Sequence, residues 1–277
     1  MPNKPTIAAN IFTNGDDIAN VRKDLDQPTW EWGVDNALKN LMQVAPFQSS
    51  QPVLQQIAQA KKRILIRPAH AGEETHSDPV AGIDSYDYTT DDVIDATPQG
   101  SPPLACAEGP VANRNLTSTP RFRQGDSWDP KRLGTGAGSN VCLYFTSQDH
   151  LKELMKAGGR PDEVLLHELV HSLRMMLGCS LCLSMPDDYD TVEEFHAILI
   201  ANIYRSECGY TNLRKNHFGK SNLPDPDEGH FYSTYKDTID AFAHQREMWA
   251  LTHTLATVRC TFNPIRRSLL TPAGQWK

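Results

Sequence analysis

One segment of the chain, between Pro161 and Gly178, has apolar residues on most of the circumference of a predicted helix. A helix with this pattern is buried in a core rather than lying at a surface. Its ends are well marked, because Pro161 suits the first helical position and Gly178 suits the residue after the last turn. Asp162 and Glu163 suit the positive end of the helix dipole. The apolar positions are Val164, Leu165, Leu169, Val170, Leu173 and Leu177.

Weaker periodic patterns predict further helices, and runs of β-branched and aromatic residues predict two strands. The predicted helices cover residues 30–44, 53–61, 150–157, 190–206 and 238–258, and the strands cover 62–67 and 141–145. Residues 70–135 show little periodicity, which is typical of functional loops or of short hidden strands. The glycine-rich run at 134–140 leads into a strand and not into a helix, so it indicates a turn rather than a phosphate-binding loop.

Together these elements predict an α+β fold. We expect residues 1–60 to form an N-terminal helical extension and residues 61–277 to form one domain. In that domain a small mixed sheet precedes the buried helix, and the part after the helix is mainly helical. The strand at 141–145 is a candidate edge strand, and an ordinary core strand fits its pattern equally well.

Charge and hydropathy exclude several classes of partner. The net charge of −7 argues against a nucleic-acid partner, which would require a basic face. No run reaches the roughly 18 apolar residues of a membrane-spanning helix. The first residues lack the basic and then apolar pattern of a secretory signal. We therefore expect a chain made in the cytoplasm, with export by a signal-independent system as an alternative.

The buried helix contains the run His-Glu-Leu-Val-His, from His167 to His171. Histidines four residues apart stack on one face of a helix, where both rings can bind one zinc ion. Glu168 is placed to act as the general base, because it can accept a proton from water that such a metal activates. Three ionisable groups in so apolar a helix would be costly to bury without a partner. We therefore predict a zinc site here.

A catalytic zinc site requires a third protein ligand. No glycine and histidine follow at the spacing of the HExxHxxGxxH pattern, which disfavours that class of peptidase. The next predicted helix offers Glu193 and Glu194, 22 and 23 positions after His171.

HELVHSLRMMLG followed by VEEFHAILIANIYRSECG resembles the glutamate zincins of secreted bacterial toxins and effectors, namely the clostridial neurotoxin light chains and the NleD-like effector peptidases. The resemblance covers about residues 134–210. It implies a zincin-like metallopeptidase fold, Zn²⁺ as cofactor, and hydrolysis of peptide bonds in a protein substrate. It also implies that Glu193 is the third ligand, with Glu194 as the alternative. Delivery into another cell, with a secretion-system chaperone or carrier as a partner, follows from the same resemblance.

Other polar residues are candidates for supporting roles. Asp240, His244 and Glu247 share one face of a predicted helix and could orient a ligand histidine, although a solvated face fits better. Candidates for stabilising the transition state are Tyr204, Tyr210 and His217.

The cysteines and the acidic loops were candidates for further metal or redox chemistry. Cys179 and Cys182 form a CxxC pair, which we interpret as partly buried thiols beyond a helix end rather than as a redox or structural metal site. The acidic loops at 187–190 and 225–228 lack the spacing of a calcium-binding loop and are expected to be solvated.

Two other functions use the same residues. Glu168 with His171 and Glu193 with His196 are both ExxH pairs, which occur in carboxylate-bridged di-iron helical bundles, with Asp240 or Glu247 as a further ligand. This alternative leaves His167 without a role. The second alternative is a non-enzymatic metal-binding module, which has no need of Glu168 as a base.

Overall fold

The computed structural model describes residues 3–16, 18–43, 48–70, 75–80, 138, 140–181, 185, 189, 191–216 and 221–277. The fold is α+β, as the sequence predicted. The strands are β1 (Lys4–Pro5), β2 (Ile11–Thr13), β3 (Ile64–Arg67), β4 (His76–Val80) and β5 (Asn140–Tyr144). The helices are α1 (Ile18–Val21), α2 (Gln27–Met42), α3 (Gln51–Gln59), α4 (Pro161–Leu177), α5 (Val192–Glu207), α6 (Glu228–Ala243), α7 (Trp249–Thr257) and α8 (Pro264–Leu269).

The five strands form one mixed sheet in the order β1-β2-β3-β5-β4. The three central strands are parallel, whereas β1 and β4 pair antiparallel to their neighbours and lie at the two edges. The candidate edge strand at 141–145 is therefore wrong as an edge, because β5 lies between β3 and β4. Val141, Cys142 and Leu143 are all buried, so both faces of β5 are covered, as in an interior strand that reads as a continuous apolar run.

The first 60 residues contribute strands as well as the predicted helices. β2 pairs with β3 over three residues, and both α2 and α3 pack against α4. Trp30 of α2 is fully buried, and its indole N–H donates to the carbonyl oxygen of Phe145 at 2.8 Å. This part of the chain therefore completes the sheet and covers the buried helix.

The second half is helical, with two departures from prediction. The predicted helix at 238–258 is two helices, α6 and α7, separated by residues 244–248, which include a 3-10 turn at Arg246–Met248. The predicted helix at 150–157 is instead a 3-10 helix at Ser147–Glu153. No helix in the described ranges is long and apolar enough to cross a membrane. Most of the glycine-rich run and residues 81–137 lie outside the described residues.

Candidate metal centre

Helix α4 holds the two predicted histidines on one face. It begins at Pro161, and the Glu163 carboxylate accepts from the backbone N–H of Arg160 at 3.4 Å. Gly178 ends it in the left-handed conformation at φ 64°, which suits a residue without a side chain. All residues of α4 from Asp162 to Met176 are buried, so His167 and His171 project into the interior from opposite ends of a single turn.

His167, His171 and Glu194 form a buried group that could hold a metal ion. Nε2 of His167 lies 3.1 Å from Nε2 of His171. The Glu194 carboxylate lies 3.1 Å from the first nitrogen and 3.2 Å from the second. One ligand atom from each residue lies within 4.8 Å of the other two.

The donor set fits a small divalent cation. Two nitrogens bound to one zinc ion in tetrahedral geometry are about 3.3 Å apart, close to the separation seen here. Nδ1 of both histidines has no hydrogen bond among the described residues. Two imidazoles and a carboxylate would be costly to bury in an apolar setting without an ion to bind them. The site therefore has the ligand types and spacing that zinc prefers, although other divalent ions share them.

The carboxylate that joins the histidines is Glu194, and the first-choice ligand Glu193 has a different partner. Oε1 of Glu193 accepts from Nε of Arg174 at 2.6 Å, and its Oε2 accepts from the backbone N–H of Leu181 at 2.8 Å. Both side chains are fully buried. Glu193 also lies 3.7 Å from Nδ1 of His171, on the side of the ring away from the metal group.

The start of α5 explains this division of roles. Thr191 caps the helix, and its hydroxyl accepts from the backbone N–H of Glu194 at 3.1 Å. Consecutive helical side chains point about 100° apart, so only one of two adjacent glutamates can face α4 at the level of the histidines. Arg174 was the missed signal in the sequence, because a buried guanidinium requires a carboxylate partner and only one glutamate then remains for the metal.

Glu168 lies beside the group without belonging to it. Its Oε1 is 3.9 Å from Nε2 of His167. Burial raises the pKa of Glu168 to about 7, and a hydrogen bond from Ser77 opposes that rise. The side chains of His167 and Glu168 keep 6% and 7% exposure, whereas those of His171 and Glu193 keep none. All of these residues are buried, and His167 and Glu168 lie on the slightly more exposed side of the group.

Ser77, on strand β4, is a site residue that the sequence reading missed. Its hydroxyl donates to Oε2 of Glu168 at 3.0 Å and lies 3.2 Å from the hydroxyl of Ser172. The residue is fully buried. It falls in the irregular stretch at 70–135, where a short polar strand leaves no periodic signal.

Charge within the group controls its proton affinity. Burial alone would lower the pKa of His171, but the Glu194 and Glu193 carboxylates outweigh burial and raise that pKa well above its usual range. His167 differs, because burial lowers its pKa to about 3 despite the nearby Glu194. Burial would raise the pKa of Glu194, but the histidines hold it well below its usual range.

The other predicted supporting residues contact different parts of the molecule. Asp240 accepts from Tyr232 at 2.9 Å and from Ser268, and Nδ1 of the exposed ring of His244 lies 2.8 Å from the Asp240 backbone oxygen. Tyr204 donates to Asp162 at 2.7 Å. Among the described cysteines, Cys142, Cys179, Cys208 and Cys260 form no disulfide bond.

Tyr210 also lies away from the group, since its hydroxyl accepts from Arg160 at 3.0 Å. Asp227 caps α6 by accepting from the backbone N–H of His230 at 2.7 Å. Of the predicted residues, Cys182, His217 and the loop residues Asp187, Asp188 and Asp190 lie outside the described part of the chain.

The two ExxH pairs do not meet at one metal group in the described residues. Glu193 binds Arg174, and neither ring nitrogen of His196 has a hydrogen bond in this part of the chain. The His196 ring instead stacks on Phe242 at a centroid distance of 4.2 Å. Burial, with the Arg174 charge, holds the pKa of His196 well below its usual range.

No family model, curated protein or solved structure matches this chain.

Proposed function

We propose that this chain is a zinc-dependent endopeptidase. The observation that carries the proposal is the buried group of His167, His171 and Glu194 with Glu168 beside it on the same helical turn. A site that only held a metal for structural reasons would not require an acid there. The pKa of about 7 for Glu168 suits a group that must both take and give a proton near neutral pH.

A zinc ion bound by this group would polarise a substrate carbonyl and make water nucleophilic near neutral pH. Glu168 would accept the proton of the attacking water and pass it to the leaving amine. Ser77 would hold one oxygen of Glu168 and leave the other facing the histidines. Glu193 would act as a positioning residue, since it approaches the outer nitrogen of His171 and is itself fixed by Arg174.

Strand β4 supports a peptide substrate. Among the described strands it is the edge next to α4, and Ser77 on this strand contacts Glu168. An extended peptide can add to such an edge through backbone hydrogen bonds, which brings its peptide bonds close to the site. A zincin-like fold is supported by the same arrangement, in which all five strands precede α4 and the helical half follows it.

The two alternatives are less well supported. A di-iron centre would bring Glu193 and His196 to the metal, but Glu193 binds Arg174 and His196 stacks on Phe242. A metal-binding module gives no role to Glu168, a carboxyl group held by a serine at the more exposed side of the site. Delivery of the protein into another cell stays a prediction from the resemblance.

The substitution Glu168→Gln tests the proposal. We expect zinc-loaded Glu168→Gln to keep about one zinc per chain and to lose at least about 100-fold in peptide cleavage, because it removes the base and no ligand. Metal content is measured by mass spectrometry, and cleavage by new N-termini in a proteome-derived peptide library. The exposed Asp237→Asn removes a charge on α6 and should cleave like the wild type. Equal cleavage by Glu168→Gln, or two irons per chain, would refute the proposal.

A further inference from the structure

A cavity of about 660 Å³ lies between the start of α6, the end of α7, helix α8 and the segment after it. Four basic side chains and one carboxylate line it, in a chain whose net charge is −7. None of its lining residues belongs to the metal group. The basic residues are Arg259, Arg266, Arg267 and Lys277, and the carboxylate is Glu228.

The single carboxylate is already neutralised. Glu228 accepts from Nε of Arg267 through one oxygen, and its other oxygen accepts from the backbone N–H of Asn263 at 3.1 Å. Lys277 donates to the backbone oxygen of Arg267, which is an uncharged acceptor. The positive charge of the remaining cations in the cavity is therefore uncompensated.

Arg259 and Arg266 supply two of the guanidinium groups that line the cavity. Neither guanidinium group has a hydrogen bond or an ion pair with the described residues. By contrast, Arg22, Arg160 and Arg205 each bind a carboxylate. A guanidinium group is planar and can donate two parallel hydrogen bonds to two oxygens of one phosphate, so two unpaired guanidinium groups lining one cavity suit a phosphate ligand.

The remaining wall suits the organic part of a ligand. Leu270 and Pro272 are apolar, and the Tyr232 hydroxyl is taken by Asp240, so its ring is the part left to contact a ligand. Lys277 lies 5.9 Å from the centre of that ring. The volume is within the range of small-molecule sites, about 300–1,000 Å³.

We propose that this cavity binds a phosphate ester through Arg259, Arg266 and Lys277. The site is independent of the proposed peptidase activity, so the two proposals fail separately.

Calorimetric titration of the full chain with fructose 1,6-bisphosphate tests this, with unphosphorylated fructose as the matched ligand. We expect the bisphosphate to bind and fructose not to bind. Arg259→Gln with Arg266→Gln should weaken binding at least tenfold. The exposed pair Lys23→Gln with Lys39→Gln removes the same charge from another face and should change binding less than twofold. Equal binding by the pocket variant, or no binding of the bisphosphate, would overturn the proposal.

A second arm distinguishes a soluble ester from a lipid headgroup. Vesicles of phosphatidylcholine with a phosphatidylinositol bisphosphate are sedimented with the wild type and with the Arg259→Gln, Arg266→Gln variant. Sedimentation that the variant loses assigns the phosphate to a lipid, and bisphosphate binding without sedimentation assigns it to a soluble ligand. Sedimentation that the variant retains contradicts a role for this cavity.

Discussion

Two adjacent glutamates on α5 have different partners. Because both are the same residue type, the sequence alone could not show which one faces the metal group. Glu194 faces His167 and His171, whereas Glu193 is bound by Arg174 and approaches the far side of His171. A rotation of α5 by one residue would exchange them. The rotation depends on the Thr191 cap, which is local to the helix, and on the contact of Glu193 with Leu181, which lies outside it.

Substitution of each glutamate separates the roles. We expect Glu193→Gln to weaken zinc binding about 10- to 100-fold by releasing His171, and Glu194→Ala to weaken it more by removing a ligand. Glu193→Gln should also cost about 3–5 kcal/mol of unfolding free energy, because Arg174 stays buried without its anion. Zinc titration with a competing chelator and urea unfolding measure the two effects. A larger loss of zinc binding in Glu193→Gln than in Glu194→Ala would restore Glu193 as the ligand.

Proton release should accompany metal binding at neutral pH. The carboxylates raise the pKa of His171 well above its usual range, so the ring carries a proton when no metal is bound and must lose it to bind one. We expect about one proton released per zinc at pH 7, and affinity falling about tenfold per unit of acidification. Titration calorimetry in buffers of different ionisation enthalpy measures the release. An affinity independent of pH between 6 and 7.5 would contradict this.

The sequence predicted His167, Glu168 and His171 as the centre of the site, because their spacing is a property of a single helix. It did not predict Ser77, which reaches Glu168 only because β4 lies at the sheet edge beside α4. Contacts inside one element were predictable here, and contacts that depend on packing between elements were not.

At the level of elements, α4 and α5 form an antiparallel pair tied at both ends by buried ion pairs. Arg174 near the end of α4 binds Glu193 at the start of α5. Glu163 at the start of α4 binds Arg205 near the end of α5, at 2.6 Å. The two pairs fix the relative position of the helices that supply the metal ligands.

Removing one partner of the Glu163–Arg205 pair should lower the unfolding free energy more than removing both partners. We expect Arg205→Met to cost about 3–5 kcal/mol of unfolding free energy, because it leaves the Glu163 carboxyl group buried. The double variant Glu163→Met, Arg205→Met should recover most of that loss, because no charged group is then left without a partner. Urea unfolding of both variants tests this, and a double variant no more stable than Arg205→Met would disprove it.

The elements that the sequence predicted well are those with a long, consistent pattern. Helices α2, α4 and α5 and strands β3 and β5 lie close to their predicted positions. Strands β1 and β2 have only two and three residues, too few for a period to appear. The break between α6 and α7 was missed because the residues around Gln245 continue a helical pattern, although the backbone there turns.

Across the whole molecule, residues far apart in the chain share one core. Arg22 binds Asp149 at 2.7 Å, and β2 joins the sheet that carries β4. The N-terminal region therefore completes the sheet on the side opposite β4. The helices of this region were predictable from the sequence. Their packing against α4 was not, because it depends on strands β1 and β2, which are too short to predict.

Removal of the metal should destabilise the whole fold, since an ion that binds only the folded chain stabilises it by mass action. Zinc at about 1,000 times its dissociation constant should add about 4 kcal/mol to the unfolding free energy. We expect a higher Tm for the zinc-loaded wild type than for the chelator-treated protein, measured by calorimetry. Glu194→Ala should show little change at the same zinc concentration, and an equal shift in that variant would contradict the assignment.

The Ser77 hydroxyl connects β4, an edge strand among the described residues, to the carboxyl group of Glu168 over 3.0 Å. Under the proposed function, a peptide added to β4 would contact the strand whose Ser77 side chain holds Glu168. A movement of that strand by a few tenths of an ångström would therefore reach the proton-transferring oxygen directly. In the proposed peptidase, substrate binding and catalysis would thus be linked through one side chain, and we expect a short or badly aligned peptide to lose turnover before it loses binding.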